Sequence, residues 1–183
     1  MGSKFEKTVI IDGKVYEYIA KREMTDEEIK RYYDQVNKSG GFDVEDFSHT
    51  VFLDGGGRIE PLDLSDDSNR QLVVDLSMEA LDKYNTKQNK NFKFKEAEKA
   101  NSEGYYCVVT LNCGFDYYIT FKAEDASTAA IETFQALVYD GEPVREVKSI
   151  RVKPTSYYNQ GNEADEDQTA CCPEQSKEFV LED

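Results

Sequence analysis

The stretch from Asn69 to Lys153 constrains the fold most, because the pattern predicts one long amphipathic helix followed only by strands. The helix is predicted over Asn69–Asn85, with Asp67 or Ser68 as its N-cap. The apolar residues that form one continuous helix face are Val73, Leu76, Ala80 and Tyr84, with Leu72 and Leu81 alongside. A helix ahead of an antiparallel meander can bury that face only on the concave side of the sheet. This order predicts an α+β domain.

After Asn85 the apolar residues alternate with a period of two, as they do in strands. The residues that share a face in the five predicted strands are, in order, Phe92 and Phe94; Tyr105, Cys107, Val109 and Leu111; Tyr117, Ile119, Phe121 and Ala123; Phe134, Ala136 and Val138; Ile150 and Val152. Such alternation indicates antiparallel strands with one buried face. Val147 has the opposite parity to Ile150, which predicts a β-bulge in the last strand.

The first 66 residues are predicted to form a separate extension of a hairpin, a helix and a loop-rich connector. Asp12-Gly13 between two β-rich runs indicates a tight hairpin turn. Thr25-Asp-Glu-Glu28 matches a capping box. The amphipathic stripe behind it comprises Ile29, Tyr32, Tyr33 and Val36. Ser39-Gly40-Gly41 is expected to end this helix, because glycine readily adopts the left-handed conformation.

The charge restricts the kind of partner. The 183 residues contain 37 acidic and 22 basic side chains, and the formal net charge is -15. Nucleic acid and anionic membrane surfaces would require a basic patch, so we expect neither as a partner. Eight carboxylates and one lysine lie between Asn159 and Asp183, which predicts a disordered acidic tail over residues 155–183. The main domain is therefore predicted over residues 67–154.

Several observations favour a soluble protein inside the cell. No apolar run approaches the roughly 20 residues that span a bilayer. Residues Met1–Glu6 lack the apolar region of a signal peptide, so we expect a cytoplasmic or nuclear location and no secretion. The four cysteines form no disulfide framework and are expected to be reduced. We expect a monomer or a weak dimer.

The sequence gives little support for catalysis. His49 is the only histidine, and nothing near it indicates a nucleophile within reach. Cys107 and Cys113 are expected to pack as small apolar residues. Gly55-Gly-Gly57 lacks the Lys-Ser/Thr of a phosphate-binding loop and favours a connector. We therefore predict that the chain is not an enzyme and that it has no cofactor and no metal site.

Several spaced motifs resemble the cystatin/monellin superfamily. These motifs are Ala80-Leu-Asp-Lys-Tyr-Asn85, Phe92-Lys-Phe94, Lys99-Ala-Asn101, Tyr117-Tyr-Ile-Thr-Phe-Lys-Ala123 and Phe134-Gln-Ala136. The chain is most similar to a group of cystatin-like proteins from cruciferous plants. In that group Gly-Phe-Asp-Val and Gly-x-Ile-x-Pro precede the helix, as Gly41–Val44 and Gly57–Pro61 do here. The resemblance implies a cystatin-like fold, in which a curved antiparallel β-sheet wraps around one long helix.

Cystatins inhibit papain-like cysteine proteases with an N-terminal glycine, a Gln-x-Val-x-Gly first hairpin loop and a Pro-Trp second loop. The resemblance sets Thr110, Leu111, Asn112, Cys113 and Gly114 at the first loop. It sets Glu142 and Pro143 at the second. At the first loop the glycine is retained, whereas Thr110 and Asn112 replace the glutamine and the valine, and the chain contains no tryptophan for the second loop. Aromatic anchors dominate such interfaces, so the implied inhibition is expected to be weakened.

The resulting expectation is a non-catalytic protein-binding module of cystatin-like fold. The seven loop residues are the candidate partner-binding site, and the partner is an unidentified protein. The alternative is an inhibitor of papain-like cysteine proteases that acts through the first-hairpin loop around Gly114.

Overall fold

The computed structural model describes residues 6–11, 14–19, 21–51, 57–105, 114–141 and 144–154. For the strands before Lys21, and at Tyr105, only the backbone is described. The elements of these segments, in chain order, are β1 (Glu6–Ile11), β2 (Lys14–Ile19), β3 (Arg22–Glu23), α1 (Asp26–Ser39), β4 (Thr50–Val51), β5 (Glu60–Pro61), α2 (Asp67–Gln88), β6 (Phe92–Tyr105), β7 (Gly114–Asp125), β8 (Ile131–Gly141) and β9 (Arg145–Val152).

Helix α2 contains the predicted helix and is longer at both ends. Its N-cap is Asp66, whose carboxylate accepts hydrogen bonds from the backbone N–H groups of Ser68 and Asn69 at 2.9 and 3.0 Å. The prediction of Asp67 or Ser68 as the cap was therefore wrong. The helix continues past Asn85 to Gln88, because Asn89 adopts the left-handed conformation with φ 51° and stops it there.

The largest sheet has the strand order β5-β6-β7-β8-β9, and every neighbouring pair is antiparallel. This confirms the predicted α+β class and the antiparallel sheet. Phe92 and Tyr105 were predicted to lie in two successive strands. This prediction was wrong, because the chain from Phe92 to Tyr105 is one strand. Its register shifts at Lys95 and at Glu98, and each extra residue reverses the side-chain alternation. The sheet also contains a strand that was not predicted, β5, which lies within the predicted connector.

The predicted bulge in the last strand is confirmed. Leu137 lies opposite Ser149, and the next residue, Val138, lies opposite Val147. Lys148 is therefore the extra residue, and the bulge restores Val147 and Ile150 to the same face.

Helix α2 packs on one face of β6–β9, which we call the helix face, and the opposite face is the outer face. The buried side chains of this core are Val73, Leu76, Ala80, Leu81, Phe92, Ala100, Tyr117, Ile119, Phe121, Ala123, Phe134, Ala136 and Val138. They include all of the predicted faces of β7 and β8 and four of the six residues predicted on α2, which are thereby confirmed. The other predicted residues Leu72, Tyr84, Phe94 and Ile150 are partly buried against this core. Val152, which was predicted to share the buried face with Ile150, is 40% exposed, so that part of the prediction was wrong. Within the described segments, no helix combines the length and apolar character needed to cross a membrane.

The hairpin and the helix predicted before residue 66 are both present. Strands β1 and β2 pair with Ile11 opposite Lys14, so the connection is two residues long, although Asp12 and Gly13 lie outside the described residues. Helix α1 ends at Gly40, which has φ 65°. Tyr32 is buried with Met24 and Phe47 in a second cluster, to which Ile29 and Val36 contribute. Tyr33 is 41% exposed, so its predicted place in the buried stripe was wrong.

The predicted capping box is confirmed at the start of α1. Glu28 N–H donates to Thr25 Oγ1 at 3.3 Å, and Thr25 N–H donates to Glu28 Oε2 at 3.0 Å. The Arg22 guanidinium donates to both carboxylate oxygens of Glu28 at 2.6 and 2.7 Å. The hydrogen bonds from Arg22, followed by that from the Thr25 backbone, lower the pKa of Glu28 from 4.5 to about 2.

Glu28→Gln is expected to flatten the acid dependence of stability. A carboxyl whose pKa is lowered in the folded state stabilises the fold above its ordinary pKa of 4.5. That contribution is lost as the pH falls through about 2. The urea midpoint of the natural chain should therefore fall more steeply than that of the variant between these two values. Parallel curves would show that Glu28 is not held as described.

Candidate functional site

Gly114, the described member of the predicted site, begins β7 and lies directly opposite Gly141, the last residue of β8. On its other side it pairs with Tyr105, the last residue of β6. The ends of three strands therefore meet at one edge of the sheet. The remaining predicted residues, Thr110, Leu111, Asn112, Cys113, Glu142 and Pro143, lie outside the described residues.

The fourth strand joins the same edge through a short hairpin. Gly141 N–H donates to the carbonyl oxygen of Val144 at 3.1 Å, so β8 returns into β9 across two residues. The connection between β6 and β7 and that between β8 and β9 therefore start from adjacent backbone. We call the surface formed by Gly114, Phe115, Gly141 and Val144 the loop edge.

Tyr139 explains why both positions at the centre of the loop edge are glycine. A Cβ added to Gly114 or to Gly141 would lie 2.4 Å from the Tyr139 hydroxyl oxygen. Ring carbons of Tyr139 would lie within 2.5–2.7 Å of the same added atoms. The ring therefore packs on bare backbone, and a side chain at either glycine would displace it.

The loop edge presents apolar side chains to solvent. Phe115 is 48% exposed and Val144 is 53% exposed. The Phe115 ring lies over the backbone of Gly104, where an added Cβ would be 2.8 Å from the ring. Glycine at position 104 therefore leaves the space that the Phe115 ring occupies beside β6.

Phe115 is exposed although side-chain alternation predicts the opposite. Phe115 has the parity of Tyr117, so alternation alone places it on the helix face. Tyr117 is buried in the core beneath α2, whereas Phe115, two residues nearer the end of the strand, is 48% exposed. The buried core of the helix face therefore ends between these two residues of β7.

An ion pair between a half-exposed lysine and a buried carboxylate lies next to the loop edge on the outer face. The Lys148 ammonium lies 2.7 Å from both carboxylate oxygens of Asp116, which is only 3% exposed. The same ammonium lies 5.4 Å from the centre of the Tyr139 ring. The extra residue of the β9 bulge thus anchors both β7 and the ring that covers the glycines.

Charged side chains flank the loop edge on the helix face. Arg145 Nε donates to Asp140 Oδ1 at 2.7 Å, and its guanidinium lies 3.9 Å from Glu79 of α2. The hydrogen bond to Asp140 is the main cause that raises the pKa of Arg145 above its ordinary value. The arginine is therefore positioned by two carboxylates at the border of the exposed apolar surface.

The candidates for catalysis and metal binding are placed as follows. His49 is exposed at the end of the loop after α1, and the cysteines considered with it lie outside the described residues. Among the residues with described side chains, no three His, Cys, Asp or Glu side chains are grouped so as to hold a metal ion. The loop edge is consequently the site that the geometry defines best.

A scan of family models and a search of curated proteins both returned no match to this chain.

Proposed function

We propose that this chain is a non-catalytic protein-binding module and that its partner binds at the loop edge. The observation that carries this proposal is the pair of exposed apolar side chains, Phe115 and Val144, beside the two adjacent glycines. Exposed aromatic anchors on a rigid strand scaffold are typical of protein interfaces. Connections at a strand edge also commonly carry binding residues, because the scaffold positions them.

The arrangement supports a cystatin-like fold for this module. A long helix precedes four antiparallel strands, and the first and last connections of those strands lie at one edge. In cystatins the two loops of that edge contact the protease. The outer face carries part of the N-terminal extension, which is an addition to this arrangement.

The alternative function is inhibition of papain-like cysteine proteases through the first-hairpin loop. Gly114 lies beside Gly141, which favours two loops that act together. Thr110 and Asn112 replace the expected glutamine and valine, and tryptophan is absent. We therefore expect no inhibition of papain at micromolar concentrations of the purified chain. Sub-micromolar inhibition would establish the alternative instead.

The binding proposal is tested by comparing the natural chain with the double variant Phe115→Ser/Val144→Ser in capture from a plant lysate. We expect at least one protein to be captured by the natural chain and lost with the double variant, because the anchors dominate the interface. The measurement is quantitative mass spectrometry of the captured proteins.

Ile131→Ser is the matched control, because Ile131 is 60% exposed at the opposite end of β8. It should retain the captured protein. A second arm removes residues 155–183 and separates binding by the acidic tail from binding by the loop edge. Identical capture by the natural chain and the double variant would refute the proposal.

A further inference from the structure

The outer face of the sheet is in contact with the segment Gly41–Asp43, which directly follows α1. Asn101 Nδ2 of β6 donates to the Gly41 carbonyl oxygen at 2.6 Å. Asn101 is only 3% exposed, so this hydrogen bond is made in a place from which water is largely excluded. The sheet thus recognises a backbone carbonyl with a buried side-chain amide.

The next two residues of the segment each have a charged or aromatic partner on the sheet. The Phe42 ring lies edge-on to the Tyr118 ring at 5.7 Å, and the Arg151 guanidinium lies 5.6 Å from its centre. The Asp43 carboxylate pairs with the Lys99 ammonium. Four side chains from β6, β7 and β9 therefore contact these three successive residues.

Contacts within the sheet hold two of these partners in place. The Tyr118 hydroxyl donates to Glu103 at 2.9 Å. The Arg151 guanidinium donates to the buried Gln135 side chain at 3.1 and 3.3 Å. None of these bonds involves the Gly41–Asp43 segment, so this part of the site is formed by the sheet itself.

The site also selects for glycine at the first position. Gly41 has φ 87°, and an added Cβ would lie 2.6 Å from the Tyr118 ring and 2.9 Å from Ile59. The site thus favours a glycine by its shape, an aromatic residue next to it by ring contact, and a carboxylate after that by charge.

The segment belongs to a part of the chain that packs by itself. Met24, Tyr32 and Phe47 form a cluster separate from the main core. Further bonds to the chain ahead of α2 are the donation from Ile59 N–H to the Tyr32 hydroxyl at 3.0 Å and that from Arg58 to Thr50 Oγ1 at 3.0 Å. The segment Gly41–Asp43 therefore connects this separately packed part of the chain to the outer face of the sheet.

We propose that the outer face is a peptide-binding site for a glycine–aromatic–aspartate segment, occupied here by Gly41–Asp43 and able to bind that motif in a partner protein. The open cleft of about 450 Å³ beside the site is lined by the end of α1 and by Asp43, Val44 and Glu45, and only Lys99 of its lining residues belongs to the sheet.

A partner's motif has to compete with the chain's own Gly41–Asp43 segment for the outer face. A tethered segment acts at an effective concentration in the millimolar range, so the natural chain fills its own site. A partner therefore has to make contacts beyond those of the Gly41–Asp43 segment to displace it. This site is independent of the loop edge, and it does not require the function proposed for that edge.

The test uses the full chain with Phe42→Ala, which weakens the internal ligand, and a fluorescent peptide of residues 38–46 as the probe. We expect fluorescence anisotropy to show saturable binding to this variant at least tenfold tighter than to the natural chain. The same peptide with alanine at the phenylalanine position should bind at least tenfold more weakly. Equal binding of the two peptides, or no binding to the variant, would overturn the proposal.

Further variants test the place of binding. Adding Arg151→Ala to Phe42→Ala should abolish peptide binding, whereas adding Val144→Ala at the loop edge should leave it unchanged. A cooperative unfolding transition confirms that each variant is folded. If Phe42→Ala does not fold, Asp43→Ala replaces it, and binding of the peptide to that variant no tighter than to the natural chain would overturn the proposal.

Discussion

Phe134→Ala is expected to lower the free energy of unfolding by about 3–5 kcal/mol, as truncation of a buried phenylalanine does. The side chain is fully buried in the core between α2 and the sheet. Its ring centre lies 5.0 Å from those of Tyr84 and Phe92 and 5.6 Å from that of Phe121. Removing it leaves a cavity among three aromatic rings that α2, β6 and β7 contribute. Urea unfolding followed by circular dichroism measures the loss.

Ile131→Ala on the same strand is the control for this measurement. Ile131 is 60% exposed, so its truncation should change the free energy of unfolding by no more than about 0.5 kcal/mol. A loss below about 1 kcal/mol for Phe134→Ala would mean that the described core is incorrect.

Gly41→Ala is expected to destabilise the chain by about 2–5 kcal/mol. Left-handed backbone costs a non-glycine residue about 1–2 kcal/mol, and Gly41 has φ 87°. The new Cβ would also collide with the Tyr118 ring, which adds about 1–3 kcal/mol for overpacking. The same urea experiment measures the effect.

Gly40→Ala separates the two contributions. Gly40 also has a positive φ, 65°, but a Cβ there would meet only a Phe42 ring atom at 4.0 Å. We expect this variant to lose only the backbone contribution of about 1–2 kcal/mol. Equal losses for the two variants would show that the segment does not pack on Tyr118.

Local rules were sufficient for several elements of the fold. The capping box at Thr25–Glu28 and the stop at Gly40 follow from bonds between near neighbours in the chain, which sequence displays directly. The buried face of α2 follows from its periodicity. The bulge at Lys148 was predictable because Val147 and Ile150 both have to face the core.

Strand β6 shows where such rules fail. Its core-facing residues Phe94, Ala97 and Ala100 are three apart, because Lys95 and Glu98 are extra residues in bulges. A prediction that assumes a strict period of two therefore fails to detect the strand beyond Phe94. Only the pairing partners in β7 reveal that the strand is continuous.

The candidate site was predictable only in part. The resemblance indicated Gly114, whereas the opposing Gly141 and the covering Tyr139 depend on the register between β7 and β8. The exposure of Phe115 depends on where the buried core of the helix face ends, which alternation does not encode. The contact of Gly41 with Asn101 joins residues 60 positions apart and required the tertiary structure.

Photocrosslinking can locate the bound partner on the surface of the chain and thereby determine whether it binds at the loop edge. A photoreactive phenylalanine analogue is placed at Phe115 in one sample and at Ile131 in another, and each protein is irradiated in the lysate used for the capture experiment. Both positions are exposed and lie at opposite ends of paired strands. We predict a crosslinked partner of defined mass from position 115 and none from position 131. The same adducts from both positions, or none from position 115, would contradict the account.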